Sequence, residues 1–196
     1  RSTEDATNIH GLFGAIIVEA PEAKWFDPET GERVKSLGGQ GYGEGSSWTR
    51  GQGWALYGFA NSYTHTGKQE YLDTAKQVAH YCIANIPENG IIPVDFRQPD
   101  EPAWEDSCGA CVIACGLLEV AGHVSELGKK MYIRAAYRIV KAIAQTRADW
   151  SKDCDAIVQN CSAAYHDQRH HFTMSYADYY FIEALYKFAG KGILIW

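Results

Sequence analysis

Apolar residues recur at the 3.6-residue period over most of the chain beyond position 47. The pattern predicts helices over 48–66, 69–85, 106–125, 130–148 and 173–189, with a short one near 8–19. Ser46 or Ser47 is expected to cap the first long helix, Asp106 the third, and Gly67 and Gly128 to stop helices as left-handed residues. A repeat underlies the pattern. GKQEYLDTAKQVAHYC from Gly67 aligns with GKKMYIRAAYRIVKAI from Gly128, and each copy follows a helix that ends in a polar turn. YADYYFIEALYKFAGK supplies a third first helix with the same Gly-Lys stop at Gly190 and Lys191. The period is about 60 residues, one helical hairpin plus a return loop. Both return loops are long and rich in Pro, Gly and acids, a length that usually signals function.

Hairpins of this kind build an all-α toroid of six inner and six outer helices, an (α/α)6 ring. Six copies need roughly 350 residues, so 196 residues hold about half, a partial barrel in one domain over 1–196. Hydrophobic residues make up 46% and aromatics 13%, which fits a packed core. The net charge of −6 without a basic tract argues against nucleic acid or an anionic membrane surface as partner, and no apolar run has the length of a membrane span. Any anion must therefore be recognised locally. Cys108, Cys111 and Cys115 follow helical spacing with no second CxxC, so buried thiols are expected rather than a metal site. Cys154 and Cys161 could bridge only in an oxidising compartment. His166, His170 and His171 lack an HExxH pattern and read as a solvated loop.

The densest chemistry lies in QGYGEGSSWTRGQGWALY, from Gln40 to Tyr57. Trp48 and Trp54 offer faces on which a sugar ring stacks, Arg50 can grip a carboxylate through parallel hydrogen bonds, and Gln40 can bond ring hydroxyls. Gly51 and Gly53 suit close helix packing. An acidic sugar fits this set.

The same segment, continued through GlyPhe, resembles the signature QGYxDxSxWxRGQxWxxYGF of the unsaturated glucuronyl hydrolases of glycoside hydrolase family 88. FDPETGERV, EDSCGACVIACGLLEV, ADYYFIEALYKFAGK and the closing ILIW are similar to the family as well. The resemblance implies a six-hairpin α/α toroid with its active site in the central cleft, and no metal or cofactor. It implies release of a 4,5-unsaturated uronic acid from the non-reducing end of lyase-generated oligosaccharides. An aspartic acid protonates the vinyl ether double bond, water adds at the adjacent carbon, and the hemiketal opens. By position, Gln40, Trp48, Arg50 and Trp54 match the uronate subsite, and Tyr176 stands where the family has an active-site tyrosine.

The family's proton donor precedes an Asn in a stretch of the form IDxMMNLxLLF. STEDATNIHGLF stands here, with Glu4 on the expected place counted back from Asn8 and Asp5 one residue on. Asp5 and Glu4 are therefore the catalytic candidates. A second family Asp has no counterpart, and Glu22 stands where the family has a His. Asp95 and Asp106 adjoin cleft-type loops, and Asp178 reads as structural. The competing expectation is a catalytically degenerate partial toroid that binds carbohydrate, with a homodimer covering its exposed inner helices. A sugar epimerase on the same fold would need paired cleft histidines, which His65 and His80 do not supply. Imported lyase products and six Cys without a disulfide framework point to the cytoplasm.

Overall fold

The computed structural model describes residues 23–37 and 39–191. Five helices carry the fold: α1 (Thr49–Thr66), α2 (Gln69–Asn85), α3 (Ser107–Gly122), α4 (Glu126–Thr146) and α5 (Ser175–Phe188). They fall on the five periodic segments. Ahead of them lies an antiparallel hairpin, β1 (Ala23–Phe26) and β2 (Arg33–Leu37), which hydrophobic periodicity does not reveal. Its turn is built by Asp27, whose Oδ1 accepts from the Glu29 and Thr30 amides, and by Gly31 at a φ of 72°. The expected short helix near 8–19 lies outside the described residues.

α1 and α2 form one hairpin and α3 and α4 the next, while α5 begins a third. The direction of the first helices is fixed by contacts at both ends. Arg50 at the start of α1 meets Asp106 at the start of α3 and Tyr176 at the start of α5. At the other end Thr64 of α1 meets Glu119 of α3, which meets Lys187 of α5. The three first helices therefore run parallel, with α2 backing α1 and α4 backing α3. This is an arc of three inner and two outer helices. α3 is at its centre and is buried on nearly every side, which explains its uniformly apolar sequence.

Glycines set the close approach of α1 to α3. A Cβ on Gly53 would lie 3.1 Å from Val112, and one on Gly116 would lie 2.6 Å from Leu56 Cγ and 3.1 Å from the Tyr57 amide nitrogen. Cys108, Cys111 and Cys115 fill the same packed region as free thiols whose pKa burial raises, and Cys154 and Cys161 are also free.

Two expectations about helix ends need correction. Neither serine caps α1: its N-cap residue is Trp48, without a side-chain cap bond. Ser46 Oγ is drawn away to Asp95 at 2.6 Å, and the Thr49 amide bonds instead to the Val94 carbonyl at 2.9 Å. Gly128 does not stop a helix. It sits in the first turn of α4, because that helix starts two residues before the glycine, whereas α2 starts two residues after Gly67. Gly67 and Gly190 do take the left-handed conformation, both at a φ of 68°.

The packing assigns opposite signs to two similar substitutions. Gly116→Ala pushes Leu56 and the α1 backbone and is expected to cost about 2 kcal/mol. Gly58→Ala, on an open stretch of α1, is expected to stabilise by about 0.5–1 kcal/mol. Urea unfolding of the two variants beside the parent measures both.

Candidate functional site

The segment from Gly41 to Ser47 is held by Asp95, a fully buried carboxylate on the first return loop. Asp95 accepts from the amides of Tyr42, Ser47 and Arg97 and from Ser46 Oγ, at 2.6–3.0 Å. Gly41 is required at the hub, since a Cβ there would fall 2.6 Å from Asp95 Oδ2. The same loop straps Ser47–Thr49 through backbone bonds from Thr49 to Val94 and from Phe96 to Ser47. Trp48 is thereby fixed just before α1 starts, and Arg50 enters its first turn.

Arg50 is 3% exposed and Asp106 fully buried, and Nε of the guanidinium donates to Asp106 Oδ2 at 2.8 Å. Its Nη2 donates to the Ser162 carbonyl and its Nη1 to the Tyr176 hydroxyl at 3.0 Å. One side chain thus ties α1, the start of α3, the second return loop and the start of α5. Burial works against the Arg50 charge, but the Asp106 carboxylate outweighs it and holds the Arg50 pKa above its usual value. Burial likewise pushes the Asp106 carboxyl up, against the pull of Arg50. Asp106 also caps α3 by accepting from the Cys108 amide at 3.2 Å, as expected, and accepts from the Ser162 amide. Ser162 in turn donates its hydroxyl to the Glu105 carbonyl.

Beside this buried charge lies an aromatic shelf. Trp54, 38% exposed, and Tyr176, 39% exposed, have ring centroids 6.3 Å apart, and the Trp54 ring meets Tyr180 at 5.4 Å. Trp48 is half-buried, with the Arg50 guanidinium carbon 5.5 Å from its ring centroid. Its indole Nε1 is a buried donor without a partner among the described residues. Burial keeps the Tyr176 hydroxyl protonated by raising its pKa, with Arg50 opposing. Gln40 is exposed, bonded through Nε2 to the Ala163 carbonyl at 3.3 Å, while its own carbonyl accepts from the Tyr165 amide.

Trp48, Arg50, Trp54 and Tyr176 therefore come together, with Gln40 tied to the neighbouring loop. Asp5 and Glu4 lie outside the described residues. Asp178 is structural, accepting from the amides of Ile157 and Val158. The three loop histidines have separate engagements: His166 with the Tyr42 carbonyl, His170 stacked on Trp104 at 4.0 Å, and His171 4.0 Å from Glu105. Among the described residues no group of three or more His, Cys, Asp or Glu is placed to hold a metal. Sequence reasoning missed the partnership of Arg50 with Asp106 and Ser162. The capping pattern flags Asp106, but nothing in the chain pairs it with a residue so distant.

Asp106→Asn keeps the cap and leaves Arg50 buried without its counter-charge, so it is expected to cost about 3–5 kcal/mol, beyond the ~1 kcal/mol of a lost cap. Adding Arg50→Met should recover at least about 1 kcal/mol of that loss. Denaturant unfolding of the single and double variants gives both values.

Comparison with known proteins identifies the fold and the family. Residues 18–195 match the model of Glycosyl Hydrolase Family 88. The unsaturated glucuronyl hydrolase of Bacillus sp. strain GL1 is 36% identical over 168 residues, covering 82% of this chain and 44% of that protein. The unsaturated chondroitin disaccharide hydrolase of Streptococcus pneumoniae is 26% identical, over 98% of this chain and 47% of its own length. A solved structure of a UGL variant with dGlcA-Glc-Rha-Glc superimposes with a TM-score of 0.77 at 34% identity, over 84% of this chain and 45% of that one. The chain thus spans a little under half the length of these relatives, and the two and a half hairpins among its described residues are an arc of the (α/α)6 toroid. By its family-wide match and its identity to such a relative, the chain belongs to Glycosyl Hydrolase Family 88.

Proposed function

We propose that this chain serves the hydrolysis of lyase-generated oligosaccharides that end in a 4,5-unsaturated uronic acid. The observation that carries the reading is the exposed shelf of Trp54 and Tyr176 set against the buried Arg50 charge. A flat unsaturated ring stacks on an indole face, and its carboxylate is drawn to the Arg50 guanidinium beside the shelf. Three bonds leave two of the five guanidinium N–H groups for that carboxylate. The Trp48 indole N–H, without a partner among the described residues, is a further donor, and Gln40 suits the ring hydroxyls.

The relatives bear on the substrate. One is named for unsaturated glucuronyl groups and another for an unsaturated chondroitin disaccharide. Proton donation to the double bond is assigned to Asp5 or Glu4, with water adding at the adjacent carbon and the hemiketal opening. A carboxyl group in that role needs a pKa raised by burial or by its acidic neighbour. A reducing, cytoplasmic setting is part of the proposal, on the ground of six Cys without a disulfide framework in the sequence.

The test is incubation with an unsaturated chondroitin disaccharide while following the ultraviolet absorbance of the conjugated double bond. Absorbance is expected to fall with the parent chain. Trp54→Ala should raise KM about tenfold. Asp5→Asn should lower kcat about a hundredfold or more while leaving the fold intact. A parent chain that binds the sugar without consuming the double bond would overturn the hydrolase reading, and undiminished turnover in Asp5→Asn would exclude Asp5 as donor.

A further inference from the structure

Beneath the aromatic shelf lies a buried carboxylate that the reaction does not use. Glu183, in the middle of α5, is 1% exposed. One of its oxygens accepts from the Tyr57 hydroxyl and lies 3.5 Å from Lys187 Nζ, and the other has no partner among the described residues. A carboxylate in so dry a place is unfavourable compared with an apolar side chain of similar size, unless it fixes an arrangement that packing alone leaves loose.

What it fixes can be traced. Tyr57 follows Trp54 by three positions on α1, and Glu183 follows Tyr180 by three on α5, so each pair shares a helix face. The Tyr57 ring meets Tyr180 edge-on at 6.1 Å, and Tyr180 meets Trp54 at 5.4 Å with planes 67° apart. The four side chains form a continuous chain of contacts between two helices, from Trp54 to Tyr180, from Tyr180 to Tyr57 and from Tyr57 to Glu183. Burial raises the Tyr57 pKa far above its usual value, so its hydroxyl stays a donor to Glu183. Lys187 carries the tie onward to Glu119 of α3 at 2.5 Å, which accepts in turn from Thr64 of α1. The carboxylate is thus anchored from all three inner helices.

We propose that Glu183 and Tyr57 are positioning residues for the sugar platform, fixing the orientation of Tyr180 and through it the Trp54 face. This rests on the reading of Trp54 as the wall on which the unsaturated uronate stacks. Neither residue reaches the ligand. Their loss should weaken binding and spare the chemical step, an outcome that general destabilisation does not produce.

The experiment compares the parent with Tyr57→Phe and Glu183→Gln on an unsaturated chondroitin disaccharide, recording KM, kcat and the thermal midpoint. Tyr57→Phe removes one oxygen and keeps the ring. It is expected to raise KM about fivefold with kcat within about twofold. Glu183→Gln still offers the Tyr57 hydroxyl an acceptor and should hold KM within about twofold of the parent. Should Glu183→Gln fail to fold, Tyr57→Phe decides alone. A lower thermal midpoint with unchanged KM, or loss of kcat in place of KM, overturns the positioning role while leaving the hydrolase reading intact. If the parent binds the disaccharide without turning it over, the same fivefold change is sought in Kd from tryptophan fluorescence. A parent that neither binds nor reacts overturns both.

Discussion

Everything that this arc presents to a ligand depends on one buried ion pair. Arg50 and Asp106 stand at the starts of adjacent inner helices, and in the dry interior neither charge is tolerable without the other. The guanidinium's remaining bonds extend the constraint to the second return loop through Ser162 and to α5 through Tyr176. A coordinated shift of α1 or α3 would strand a charge, so the relative height of the inner helices is set there. The aromatic shelf inherits its position from that alignment, because Trp54 lies one turn beyond Arg50 on the same helix.

Close packing enforces the same alignment by steric means. With glycine at 53, 109 and 116 the backbones of α1 and α3 approach until side chains of one helix touch main chain of the other. At Gly109 a Cβ would lie 3.0 Å from Asp106 Oδ2 and 3.2 Å from the Arg50 amide nitrogen. The ion pair and the glycine seam are one feature viewed from two sides. The short contact lets a single carboxylate cap its own helix and still reach the arginine of the next.

Much of this was legible in the chain, and the remainder has a common cause. Helical periodicity located all five helices, and for α2 it gave both ends, since that helix is amphipathic with a left-handed glycine before it. It fared worst where a polar side chain had a distant partner. Ser46 looked like a cap because capping is local, yet its hydroxyl belongs to Asp95, forty-nine positions along. Gly128 looked like a stop because it mirrors Gly67 in the repeat, yet the second turn starts its helix earlier. The motif from Gln40 to Tyr57 singled out the aromatic and cationic residues that gather at the shelf, since stacking and charge are properties of residue types. It did not reveal that Arg50 is buried, nor that Glu183 and Tyr57 lie beneath the shelf, since those depend on which helices become neighbours. The β1–β2 hairpin escaped because its four- and five-residue strands are too short for a periodicity signal.

The parallel course of the three inner helices has an electrostatic consequence. Each helix carries a partial positive charge at its amino end, where the first amides lack intrahelical acceptors. Here α1, α3 and α5 begin side by side around Arg50, so three such ends converge on the shelf while their negative ends gather at the opposite rim. Acidic groups answer these ends: Asp106 caps α3, Asp178 lies in the first turn of α5, and Asp95 holds Ser47 just ahead of α1. A chain with a net charge of −6 thus pairs its cationic and acidic groups at the starts of the inner helices and holds no long-range attraction for an anion. An anion of any kind would be repelled at a distance and held only by direct hydrogen bonds, an arrangement that favours close fit over capture from afar.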